Sequence, residues 1–112
     1  MEELIHKLRE FAKERDWDQF HSPKNLAMAL SVEVAEIVEF FQWMTEEQSR
    51  NPASEKIDKL KAEIGDVMIY LIKLADKFGI DPLQAARDKL EINEKKYPAE
   101  VVKGKSKKYN EY

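Results

Sequence analysis

Residues 24–44 read KNLAMALSVEVAEIVEFFQWM, and residues 54–78 read SEKIDKLKAEIGDVMIYLIKLADKF. In the first stretch Leu26, Leu30, Val34, Ile37 and Phe41 recur at three- to four-residue steps. In the second, Ile57, Leu60, Ile64, Val67, Leu71, Leu74 and Phe78 do the same. This is the period of an α-helix with one apolar face. Ser22-Pro23 opens the first helix, as an N-cap followed by Pro at the first helical position. Gly79 closes the second as its C′ residue. The link over residues 46–54 is polar and short and holds Asn51-Pro52. A link of that length makes the two helices antiparallel neighbours.

Working outward, Leu4, Ile5, Leu8, Phe11 and Ala12 give residues 2–15 one apolar stripe and predict a first helix. Residues 16–24 break the period and read as a loop, yet they hold Trp17, Phe20 and His21. Asp81-Pro82 starts a fourth helix carrying Leu83, Ala86, Leu90 and Ile92 to about residue 95. Pro98 and Gly104 leave the remainder a tail. The expectation is an all-α fold, one domain over residues 1–112, with four helices and an irregular basic tail from about residue 96.

Composition agrees. The chain has 112 residues, the size of one domain. Leu, Ile, Val and Phe make up 25 % of it, enough to build a core. Charged residues are 37 % and Gly plus Pro number only seven, which favours long helices with solvated faces. There is no cysteine, so no disulfide, thiol nucleophile or thiolate metal site exists. The start, Met1-Glu2-Glu3, lacks the basic and apolar regions of a secretory signal, and no apolar run approaches a membrane span. A soluble, cytoplasmic protein with no membrane partner is expected. The net charge of −3 argues against a nucleic-acid partner. It is unevenly spread: residues 1–94 are net −7, while residues 95–112 are net +4. An acidic body with a basic tail suits a metal and an anionic ligand held together.

Six acid-x-x-acid pairs occur, so spacing alone says little. Neighbours separate them. Glu55/Asp58 and Asp88/Glu91 lie among Lys and Arg and read as solvated surface. Glu33 and Glu36 are flanked by Val32, Val34, Ala35 and Ile37; Glu63 and Asp66 by Ala62, Ile64, Gly65 and Val67. At 100° per residue both pairs fall beside the core stripes, and Tyr70 shares the face of Glu63 and Asp66. Carboxylates pushed toward apolar surroundings are costly unless paired or metal-bound. Four facing carboxylates with no Cys or His make an oxygen-only site, suited to Mg²⁺ or, as a substitute, Mn²⁺. A di-iron bundle needs Glu-x-x-His on two helices, which His6 and His21 do not supply.

Glu33-x-x-Glu36 followed after 26 residues by Glu63-x-x-Asp66 resembles the ExxE and ExxD motif of the MazG-type all-α nucleoside triphosphate pyrophosphohydrolases. Residues 15–21 (RDWDQFH), Pro23-Lys24-Asn25-Leu26, Phe41-Gln42-Trp43 and residues 66–71 (DVMIYL) resemble its dCTP pyrophosphatase branch. So do Ile92-Asn93, Lys96-Tyr97-Pro98 and Ser106-Lys107-Lys108-Tyr109. The resemblance covers about residues 4–110.

It implies cleavage of a nucleoside triphosphate to the monophosphate and pyrophosphate, with Glu33, Glu36, Glu63 and Asp66 holding Mg²⁺ as the catalytic quartet. Glu33 or Glu36 would orient the attacking water. Trp17 and Trp43 resemble aromatics that sandwich the base, with His21 and Asn93 at its edge or sugar. Lys96, Lys108 and Tyr109 would reach the phosphates. Core or subunit contact competes for both tryptophans, more strongly for Trp43, which ends a helix. A backbone-bonded loop histidine competes for His21. The sequence departs from the animal members of the branch at Leu8, where they carry a histidine near the base pocket, so base preference stays open. Other non-standard nucleotides, phosphoribosyl-ATP and a non-catalytic helical oligomerisation role are the competing readings. The second and third helices are apolar over more than one face, through Val38, Phe40, Met68 and Ala75. The surplus predicts burial between subunits, and the resemblance implies a homotetramer, a dimer of dimers.

Overall fold

The computed structural model describes residues 1–104. Its long helices are α1 (Glu2–Glu14), α2 (Pro23–Phe41), α4 (Ser54–Asp76) and α5 (Pro82–Lys96). Two short ones, α3 (Glu46–Arg50) and α6 (Ala99–Val102), complete the set, and no strand occurs among the described residues. The all-α expectation holds. The polar link and the start of the tail, both expected to be irregular, each contain a short helix. In the link the cause is a capping box. Gln48 N donates to Thr45 Oγ1 at 3.1 Å, and Thr45 N donates to Gln48 Oε1 at 3.0 Å.

The chain forms two compact units, Met1–Ile80 and the stretch from Asp81 onward. In the first, α2 packs along α4, and α1 lies on α4. The ends of α2 and α4 are matched antiparallel. His21, just before α2, meets Lys73 near the end of α4, while Phe40 and Lys56 share a hollow at the opposite ends. Local chemistry sets each end. Ser22 Oγ accepts from Asn25 N at 3.2 Å, with Pro23 at the first helical position. Past α4, Gly79 has φ +65°. Its N–H donates to the Asp76 carbonyl, and Ile80 N–H reaches back to Ala75. Those two bonds make a Schellman stop.

α1 ends the same way without a glycine. Asp16 sits at φ 54°, its N–H donating to Lys13 and the next N–H, from Trp17, to Ala12. Asp is one of the few residues that tolerates this left-handed position. The stop turns Trp17 out of the helix line, into a single 3-10 turn over Asp18–Phe20. Asn25 Nδ2 ties that turn to α2 by donating to the Phe20 carbonyl at 3.0 Å. Arg9 Nε donates to Asp76 Oδ2 at 2.8 Å and pins α1 to α4. That hydrogen bond, more than charge, holds the Asp76 carboxyl below its usual range. Its contribution to stability is present above the unfolded carboxyl value and is lost as pH falls through the folded one.

The fully buried core is small: Ala12 of α1, Leu26 of α2 and Ile72 of α4. The stripes expected to be core are covered only in part. Val34, Ile57, Ile64, Leu71 and Phe11 are exposed, and Phe78 is 63 % exposed. A stripe running the length of a helix is dry only where another helix lies over it. α4 alone is 23 residues long, and it has chiefly α2 and the shorter α1 against it. In the second unit Asp81 caps α5, its Oδ1 accepting from Leu83 N at 2.9 Å and Gln84 N at 3.3 Å, with Pro82 at the first helical position. No described helix is long and apolar enough to cross a membrane.

Candidate active site

The antiparallel packing of α2 on α4 brings their two acidic pairs together. One carboxylate oxygen from each of Glu33, Glu36, Glu63 and Asp66 lies within 4.8 Å of all the others. Glu33, Glu36 and Glu63 are half-buried; Asp66 is exposed. Glu33 Oε2 and Glu63 Oε2 are buried with no hydrogen-bond partner. Two orphaned acceptors beside two more acids are what a hard cation satisfies, so the residues present fit Mg²⁺.

The electrostatics agree. Burial, followed by repulsion from Glu36, hydrogen bonding with Glu36 and repulsion from Asp66, pushes the Glu33 carboxyl above its usual range. Hydrogen bonding with Glu36 does most to raise Glu63, followed by burial and repulsion from Glu36, Asp66 and Glu33. A raised carboxyl means the folded chain, without a cation, binds more protons than the unfolded one through that window. Stability therefore falls as pH rises through it. A cation removes the penalty. Mg²⁺ is expected to raise the melting temperature near neutral pH, and the shift should shrink on acidification into the carboxyl range as the ligands protonate. Calorimetry with Mg²⁺ and with EDTA checks this; a shift independent of pH contradicts it.

Asp66 also lines a cleft of ≈ 350 Å³ between α1, the 16–22 turn and α4. Its walls include Phe11, Trp17, Tyr70 and Leu8, with His21 and Lys73 among its polar residues. Trp17 is 43 % exposed. The Phe11 and His21 rings meet it at 69° and 68°, so neither stacks flat on it. An open aromatic face beside a carboxylate cluster can take a flat ring that carries phosphates.

The MazG-like family model matches residues 28–112, which include all four carboxylates. The chain belongs to the MazG-like family. It is 41 % identical over 99 % of its length to human dCTP pyrophosphatase 1, and 38 % identical over 99 % to the bovine protein. It spans about two thirds of the length of those relatives, 66 % and 67 %. Among solved structures it resembles a pyrophosphatase from Archaeoglobus fulgidus, with TM-score 0.82 and 44 % identity over 88 % of this chain and 92 % of that one.

In this MazG-like chain the two tryptophans line different hollows of the first unit. Trp43 is 88 % exposed and lines a separate hollow of ≈ 460 Å³ with Glu39, Phe40 and Lys56. Trp17 precedes α2 and Trp43 follows it, so a helix of 19 residues separates them, about 28 Å. Tyr70 and His21 both line the cleft. Asn93 and Lys96 lie on α5 in the second unit. Lys108 and Tyr109 fall outside the described residues.

Sequence reasoning missed Lys73 and Lys7, which both line the cleft, and took the cleft residue Phe11 for core. A signal for Lys73 was present: Glu63, Asp66 and Tyr70 define one face of α4, and Lys73 continues it one turn on.

Proposed function

We propose that this chain is a Mg²⁺-dependent nucleoside triphosphate pyrophosphohydrolase that cleaves dCTP-like nucleotides to the monophosphate and pyrophosphate. The observation that carries this is the quartet of carboxylates, two with orphaned buried oxygens, opening through Asp66 onto an aromatic cleft. Membership of the family and the names of the relatives support it.

Glu33, Glu36, Glu63 and Asp66 would hold the cation, with Mn²⁺ as a substitute. When bound, it would neutralise charge on the phosphates and acidify water. The protein's own part is positioning. Trp17 and Tyr70 seat the base side of the nucleotide in the cleft, which sets the phosphates toward Asp66. Water attacks one of the two phosphorus atoms flanking the α–β bridging oxygen. The bond between that phosphorus and the bridging oxygen breaks, and the monophosphate and pyrophosphate are released. A quartet carboxylate, Glu33 or Glu36, orients the water and takes its proton. Asn93, Lys96, Lys108 and Tyr109 complete the proposed contacts to sugar and phosphates. The setting we propose is a cytoplasmic nucleotide pool, and residues 1–112 act as one functional domain. Phosphate release from a panel of dNTPs, with Mg²⁺ and inorganic pyrophosphatase, tests the reading. Turnover led by dCTP supports it; inertness toward every triphosphate overturns it.

We further propose a homotetramer. Val32, Val34 and Val38 of α2 and Ile57, Ile64, Met68 and Leu71 of α4 are exposed apolar residues on the helices that carry the quartet. Solvated surface of that kind is what oligomers bury. With Trp17 and Trp43 about 28 Å apart along one subunit, both can contact one base only if a neighbour supplies Trp43. Light scattering is expected to give about four times the 13.2 kDa chain mass. An active species of one chain mass overturns the assembly and the shared site. Twice that mass discards the tetramer alone.

A further inference from the structure

Lys73 is half-buried in the cleft wall and forms no ion pair with a carboxylate among the described residues. Its one hydrogen-bond partner among them is His21, with Nζ 3.2 Å from Nδ1. An ammonium only donates, so Nδ1 accepts and the proton of the neutral ring stays on Nε2. Burial and the adjacent Lys73 both hold His21 toward that neutral form. Nε2 has no partner among the described residues. The pair therefore offers a ligand two N–H bonds on Lys73 and one on His21, with no acceptor between them.

We infer that Lys73, with the His21 ring whose tautomer it fixes, selects the base in this cleft by donating to two adjacent acceptors. This rests on the nucleotide reading above. Cytosine carries two such acceptors, O2 and N3. Uracil and thymine carry N3–H in that place, which would confront a donor with a donor. A site whose polar groups go unpaired with the wrong ligand discriminates far better than an apolar pocket does. Lys73 is a specificity-determining residue, and His21 is oriented through it.

Binding of monophosphates isolates this step from hydrolysis. Calorimetric titration of the full chain with dCMP and with dTMP is expected to favour dCMP about tenfold or more, the scale of one good base-edge contact pair. Lys73→Met should close most of that gap through loss on dCMP, and Lys73→Arg, which keeps a charged donor, should retain it. Lys73→Leu, which also lacks a donor, repeats the test should the Met variant lose its helical signal. An unchanged gap in Lys73→Met or Lys73→Leu overturns the inference, as does a wild-type preference for dTMP or dGMP. Hydrolysis of dCTP is scored separately. Turnover with an unchanged gap sinks the inference alone; a Lys73-dependent gap without turnover of any triphosphate sinks the enzyme reading alone.

Discussion

Glu36→Gln and Asp66→Asn are each expected to lower turnover of dCTP about a thousandfold or more while leaving helical circular dichroism in place. The four oxygens share one small volume, within 4.8 Å of each other. Removing one charge would remove a ligand of the proposed cation, whose stabilisation of developing phosphate charge is worth several kcal/mol, and each ~1.4 kcal/mol is tenfold in rate. The fold should move the other way. Burial and hydrogen bonding with Glu36, with mutual repulsion, hold Glu33 and Glu63 above the usual carboxyl range. Neutralising Glu36 relieves that strain, so its cation-free variant should melt higher than the wild type near neutral pH. Near-normal turnover at saturating Mg²⁺ in either variant contradicts the metal role, whatever happens to stability.

Trp17→Ala should raise KM for the nucleotide by about 5- to 150-fold, the ~1–3 kcal/mol of a base stacked on an aromatic ring. The change should fall on KM, because the proposed mechanism puts Trp17 on the base side and the chemistry at the quartet. Its ring neighbours Phe11 and His21 meet it edge to face, and Trp17 is itself exposed rather than part of the buried core of Ala12, Leu26 and Ile72. Loss of thermal stability with an unmoved KM would make Trp17 a packing residue.

The quartet was legible in the sequence because acids flanked by Val, Ala and Ile are expensive. The antiparallel pairing that a short link imposes then brings two such pairs face to face. The helix ends at Ser22-Pro23, Gly79 and Asp81-Pro82 were legible from cap chemistry. Asp16 was not, because its left-handed turn lacks the glycine that usually marks one. The Thr45–Gln48 capping box was hidden in a segment dominated by Asn51-Pro52. Covered and uncovered faces could not be told apart, since periodicity shows which residues seek burial and not which neighbour arrives to bury them. Val34, Ile64 and Phe78 belong to such stripes and remain exposed. Lys73 escaped notice because a lysine on a helix usually snorkels to solvent. Only the arrival of His21 from the far side of the 16–22 turn gives it a partner.

The quartet is proposed to direct water at the bond between the α- and β-phosphates. Chromatography of a dCTP reaction with Mg²⁺, without any coupling enzyme, tests it most directly. The expected products are dCMP and pyrophosphate in equal amounts, with their formation strongly suppressed by Glu36→Gln. Formation of dCDP and inorganic phosphate, or a dCMP yield unaffected by Glu36→Gln, would contradict it.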